Sequence, residues 1–253
     1  ALVDTNKKVV AATATVAISD NTSTAASVLK DIGGATSGTV TASSIPTITG
    51  TAQDVTDALV TDNSKVVASG TEAITVSDET SVTQANAIDG KTSGAITAII
   101  SDHAIATLNT LSAASGTPNA YTISVTDVAG ATITELIALG GKTSITPTYT
   151  IVNSDASTLL NAGSASWITN HSATVTDTTV TAANLNSIDL LTTSLVTASA
   201  STITGTVAAV KTALTSPGLA HGAAVVVTLD DASGTVTASD LSAIGVATNG
   251  NVT

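Results

Sequence analysis

The chain has 253 residues and a net charge of −12, and contains no Cys, Met, Phe or Arg. Zero cysteine excludes disulfides, zinc thiolate sites and thiol catalysis, and seven lysines form no basic patch for nucleic acid or an anionic membrane. Aromatic residues make up 1% and charged residues 10% of the chain, so the interior must be filled by Ala, Val, Ile and Leu.

Reading from the N-terminus, one motif recurs five times. It is a short strand ending in aspartate, a helical turn and a threonine that restarts the chain. The first copy reads Val16-Ala-Ile18-Ser-Asp20, then Leu29, Ile32-Gly33 and Thr36. The second reads Ile74-Thr-Val76-Ser-Asp78, then Ala85, Ile88-Asp89 and Thr92. The third reads Ile123-Ser-Val125-Thr-Asp127, then Leu136, Leu139-Gly140 and Thr143. The fourth has Val175 and Asp177, then Leu185, Ile188-Asp189 and Thr192, and the fifth Val227-Thr-Leu229-Asp-Asp231, then Leu241, Ile244-Gly245 and Thr248. Apolar residues two apart before each aspartate share one side of a strand. The apolar pair three apart shares one helical face.

Helix boundaries are written into the same motif. Ser81, Thr132, Thr181 and Thr237 stand seven residues before the last apolar position, as N-cap residues, where the first copy has Ala25. Thr132 with Glu135 fits the capping-box spacing, and Thr237 with Asp240 is a weaker version. Gly33, Gly140 and Gly245 are expected just past the helices, where a C-terminus favours glycine.

Between copies runs a second half-repeat. It opens as Val40-Thr-Ala42, Ile96-Thr-Ala98 and Val196-Thr-Ala198, and continues as Ile48-Thr-Gly50-Thr51 and Ile203-Thr-Gly205-Thr206 with helical spacing beyond. Residues 14–38 and 39–67, 68–94 and 95–118, 119–144 and 145–168, and 169–194 and 195–220 form successive pairs, and 221–248 is a final main half. The period is about 50–58 residues in two coils of roughly 25, within the range of α/β solenoid repeats. The expected fold is a right-handed α/β solenoid with parallel sheets and short helices, a pure parallel β-helix being the alternative. No linker or composition shift divides 1–253, so the expectation is one continuous array of about four and a half repeats. Ala1-Leu2-Val3 matches Ala58-Leu59-Val60, and Asn251-Val252-Thr253 matches the entry to a second-half strand. Both ends therefore fall mid-repeat, as in a window of a longer chain.

The recurrent aspartates Asp20, Asp78, Asp127, Asp177 and Asp231 are the first candidates for chemistry. Aligned between coils, they could bind calcium. Equally, an aspartate at a strand-to-helix turn accepts backbone N–H bonds, which alone accounts for its recurrence. The turn role is the favoured reading, and calcium is the one cofactor the pattern leaves open. His103, His171 and His221 have no second ligand at metal spacing, and His171 and His221, fifty apart, precede corresponding strands. Trp167, the single tryptophan, occupies a core position of the repeat. Thr-x-Thr pairs at Thr39/Thr41, Thr47/Thr49, Thr202/Thr204 and Thr235/Thr237 could stack into a hydroxyl array for glycan or ice, although threonine is also simply a good strand former. Serine and aspartate are too abundant for any Ser-His-Asp set to carry weight.

The string Thr-Val-Thr-Ala-Ser-Asp-Leu-Ser-Ala-Ile at 235–244, and Ile-Thr-Gly-Thr at 48–51 and 203–206, resemble repeats of the very large, low-charge surface proteins of marine unicellular cyanobacteria. The resemblance implies an exported envelope or filament protein whose repeats carry no enzymatic activity. The expected function is a structural, non-catalytic, self-associating segment of an extracellular surface protein. Its partners would be copies of itself, with neither nucleic acid nor a membrane span. The alternative is a binding module with a Thr-rich face for glycan, ice or cell contact.

Overall fold

The computed structural model describes residues 13–19, 22–61, 65–114, 116–126, 131–161, 168–231 and 236–253. Contacts divide the chain into two compact units, Ala1–Val125 with Ile137–Thr148, and Thr126–Leu136 with Tyr149–Thr253. The class is α/β, and every pairing between its named strands is parallel.

In the first unit the order is β1 (Val16–Ala17), β2 (Thr24–Ala25), α1 (Ala26–Gly34), β3 (Val40–Ala42), β4 (Thr47–Gly50), α2 (Ala52–Leu59), β5 (Val66–Ala68), β6 (Ala73–Thr80), α3 (Val82–Asp89), β7 (Ile96–Ile100), α4 (Ile105–Leu108) and β8 (Ala120–Thr122). One sheet runs β1-β3-β5 and a second β2-β4-β6-β7-β8. Val16 faces Val40 and Val40 faces Val66. Ile48 faces Ile74, and Ile74 faces Ile96. Partners are thus 22 to 26 positions apart, which is the half-repeat read from the sequence. Between β6 and β7 the register shifts, because residues 76–78 have only Ala98 opposite them.

In the second unit the order is β9 (Ala131–Thr132), α5 (Ile133–Gly140, whose last residues belong to the first unit), β10 (Ile151–Ser154), α6 (Ala156–Leu159), β11 (Ser172–Val175), β12 (Thr179–Thr181), α7 (Ala182–Asp189), β13 (Val196–Ala198), β14 (Thr202–Gly205), α8 (Val207–Thr215), β15 (Leu219–His221), β16 (Val226–Leu229) and α9 (Ala238–Ala247). Its sheets run β9-β10-β11-β13-β15 and β12-β14-β16. Ala173 faces Val196 and Val196 faces Leu219, again one half-repeat on.

Period-two burial makes the strands. In β7, Ile96, Ala98 and Ile100 are buried while Thr97 and Ile99 are exposed. Period-3.6 burial makes the helices: α2 buries Ala52, Val55, Ala58 and Leu59, and α8 buries Val207, Val210, Ala213 and Leu214. The core is therefore a succession of small aliphatics, each fully buried Val, Leu or Ile contributing about 1.5–3 kcal/mol. Among the described residues its largest fully buried side chain is Tyr121.

Hydroxyls start the helices as the spacing requires. Thr51, Ser81, Thr181, Thr206 and Thr237 each accept the N–H three residues on, and Ser81 with Gln84 forms a complete capping box. The Thr132–Glu135 box is present as well: Glu135 accepts the Thr132 N–H and hydroxyl, and Thr132 accepts the Glu135 N–H. Ala25, at the same place, makes no side-chain cap. The glycines differ from expectation. Gly33 and Gly245 lie inside their helices, and Gly140 is the last residue of its own, not the residue beyond it. Among the described glycines only Gly70 and Gly205 have positive φ, so none of the three is a left-handed helix stop.

Candidate functional site

The aspartates are the residues on which a site would stand. Asp78 lies within β6, where its register with β7 shifts, Asp177 lies between β11 and β12, and Asp231 follows β16; Asp20 and Asp127 lie outside the described residues. Each of the three reaches back to the first N–H of the helix one half-repeat earlier. Asp78 accepts from Ala52 at 2.7 Å, Asp177 from Ala156 at 2.6 Å and Asp231 from Val207 at 2.6 Å. Asp102, which the motif did not single out, does the same to Val82 at 2.8 Å. Each of these helices is thus capped twice, by its own N-cap side chain and by a carboxylate from the next half-repeat. A carboxylate there also meets the positive end of the helix dipole. Among the described residues no three His, Asp or Glu side chains converge at metal-binding spacing.

Asp155 caps α6 itself, accepting the Thr158 N–H at 2.9 Å and the Thr158 hydroxyl at 2.7 Å. These hydrogen bonds pull its pKa down to about 2. Lys30 bonds Asp54 across α1 and α2, and Lys211 bonds Asp240 across α8 and α9 at 2.8 Å. Each lysine's hydrogen bond holds its aspartate below the usual carboxylate range.

The restart threonines form a second set of clasps. Thr36 donates to the Ala14 carbonyl, Thr92 to Glu72, Thr143 to Tyr121, Thr192 to His171 and Thr248 to Val225, at 2.5 to 2.8 Å. In each case the same hydroxyl accepts the N–H two residues on, from Gly38, Gly94, Ile145, Ser194 or Gly250. The sequence marks these threonines by recurrence but gives no sign of their partner, because the acceptor is a backbone carbonyl about 22 residues upstream.

Several buried polar groups carry no sequence signature. Asn119, 1% exposed, donates to Asp89 at 2.7 Å and accepts the Ile96 N–H at 2.9 Å. Burial, together with the Asp89 charge, pushes the Tyr121 phenol up. Glu72 is also 1% exposed; its Oε2 accepts from Ser69 and the Thr71 N–H, while Oε1 is buried without a partner.

The structure separates the histidines. His171 stacks on Tyr149 with ring centroids 4.2 Å apart. His221 faces Ala198 in the sheet, which in turn faces Val175, so it is out of line with His171. The His103 ring meets the Ser124 carbonyl at 3.0 Å. Trp167 lies outside the described residues. The threonine pairs do not stack on one another: Thr41 faces Ala17 and Val67, and Thr47 faces Ala73, so only single members of the pairs meet other threonines. Thr49 faces Thr75 and Thr75 faces Thr97. In the second unit Thr181 faces Thr204 and Thr204 faces Thr228. These side chains point outward, half-buried or exposed.

No family model matches the chain, and neither the curated proteins nor the solved structures yield a significant match. No helix among the described residues is long and apolar enough to cross a membrane.

Proposed function

We propose that the chain is a right-handed α/β solenoid serving as a structural, non-catalytic and self-associating segment of an extracellular surface protein, filament or sheath. One observation carries the reading: the recurrent polar side chains are spent on the neighbouring half-repeat. The carboxylates of Asp78, Asp102, Asp177 and Asp231 and the restart threonines all hold backbone groups of the coil before. Polar groups so committed build an array and leave little for substrate chemistry. The calcium reading takes second place because Asp78, Asp177 and Asp231 are committed in this way.

Self-association draws support from the surface. Leu190 and Val246 occupy the same repeat position, two residues after the buried Ile188 and Ile244, and each is 87% exposed. With charged residues at 10% of the chain, little opposes lateral contact. Sedimentation velocity over a concentration series tests this directly. The expected result is a distribution that shifts to larger species as concentration rises; a single monomer boundary at every concentration would overturn it. The in-register Thr49, Thr75 and Thr97 favour a second reading, a binding module for glycan or ice. For that reading, retention on immobilised polysaccharide or ice should fall when Thr75 is changed to Val.

A further inference from the structure

The helix N-termini are not all met in the same way. Those of α2, α3, α6 and α8 receive a carboxylate from the next half-repeat. Those of α1 and α7 receive a glycine, the Gly of each Ile-Thr-Gly-Thr string. A Cβ on Gly50 would stand 3.0 Å from the Ala26 Cβ and 3.6 Å from the Ala26 nitrogen. A Cβ on Gly205 would stand 3.6 Å from the Ala182 Cβ and 3.8 Å from its nitrogen, and Gly205 has φ 143°, a conformation that strains any side-chain-bearing residue. Ala26 and Ala182 are each the first residue of their helix, as are Ala52, Val82, Ala156 and Val207. The strings therefore do a definite job: they let backbone lie directly over the preceding helix start. Where the second half-repeat lacks the string, as in 95–118, it supplies Asp102 instead.

We infer that in the second unit, where carboxylate, glycine and carboxylate follow one another over α6, α7 and α8, successive half-repeats are joined through two surfaces that do not substitute for one another, a carboxylate joint and a glycine joint. A carboxylate-joint helix placed under a glycine half-repeat loses the acceptor for its first N–H. At the Gly205 joint the backbone φ of 143° disfavours any residue that carries a side chain. It follows that the second unit tolerates removal of a whole two-coil period better than removal of one coil. The inference rests on the array reading above.

Two deletions within the full chain decide it. Removing residues 174–227 takes out 54 residues and joins Ala173 to Thr228. Asp231 then stands where Asp177 stood, above Ala156, and Thr248 keeps a clasp on His171. Removing residues 174–196 takes out only 23 and joins Ala173 to Thr197. Ala200 then stands in the place of Asp177, and the glycine half-repeat lies over α6. A linear array with equivalent joints would make the longer deletion the more harmful, since it removes more nearest-neighbour terms. The joint code reverses the order, with the 54-residue deletion melting at least ~5 °C above the 23-residue one. Ala200→Asp isolates the cap. It should raise the melting temperature of the 23-residue deletion and lower that of the intact chain, where Ala200 is 5% exposed. If the 23-residue deletion melts at or above the longer one, or if Ala200→Asp acts with the same sign in both chains, the code is wrong while the array stands. Loss of cooperative unfolding in both deletions would overturn the array and the code together.

Discussion

Replacing Asp177 with Ala removes one carboxylate and leaves the Ala156 N–H, 2.6 Å away, without its acceptor. Hydrogen bonds to charged groups contribute about 1.5–3 kcal/mol. Ala156 stands at the start of a short helix that keeps its own cap from Asp155, so the damage is confined to one joint. The expected loss is about 2 kcal/mol. Asp177→Asn keeps an acceptor but gives up the charge at the helix start, and should cost about 0.5–1 kcal/mol. Urea unfolding followed by circular dichroism gives both values, and amide exchange at Ala156 should quicken in the Ala variant by the same free energy. Calcium at millimolar concentration should leave the ranking unchanged. An Asp177→Ala chain within 0.3 kcal/mol of the parent, or one whose deficit appears only when calcium is present, would refute the reasoning.

Further outcomes follow from the other clasps. Thr92→Val keeps shape but removes both the 2.6 Å bond to the Glu72 carbonyl and the acceptor for the Gly94 N–H; a loss of about 1–2 kcal/mol is expected in the same unfolding assay. Glu72→Gln removes a buried charge that has no cationic partner among the described residues, and should stabilise the chain by about 1 kcal/mol at pH 7, which differential scanning calorimetry would register as a higher melting temperature. Asp155 has a folded pKa of about 2 against an unfolded value near 3.9. Because the folded value is depressed, its contribution is complete above about pH 4 and is lost as pH falls towards 2. Asp155→Asn should therefore flatten the acid limb of the stability profile between those limits and leave the rest of the profile parallel to the parent.

Much of this architecture is legible in the sequence because its period is local. Val40-Thr-Ala42 and Val196-Thr-Ala198 read as strands and are β3 and β13. Ser81, Thr181 and Thr237 read as caps and act as caps. What escaped is whatever depends on the neighbouring half-repeat. The aspartates announce a turn acceptor, but nothing local says that the donor is a helix 21 to 26 residues upstream. Asp102 follows the alternating strand Ile96–Ile100 but stands outside the five-copy aspartate motif, and nothing local marks it as the acceptor for Val82. Glycine after an apolar pair suggested helix stops; one helix does end at Gly140, but at Gly33 and Gly245 the helix runs on through the glycine. Asn119 and Glu72 gave no signal at all, since inward positions elsewhere in the repeat hold apolar residues such as Val225.

Electron microscopy of the purified chain, with and without a calcium chelator, tests the structural and self-associating role most directly. The account predicts ordered filaments or sheets that survive chelation, with the aspartates acting as caps between coils. Dispersed single particles in both conditions would contradict it, and assemblies that dissolve on chelation would contradict the assignment of the carboxylates.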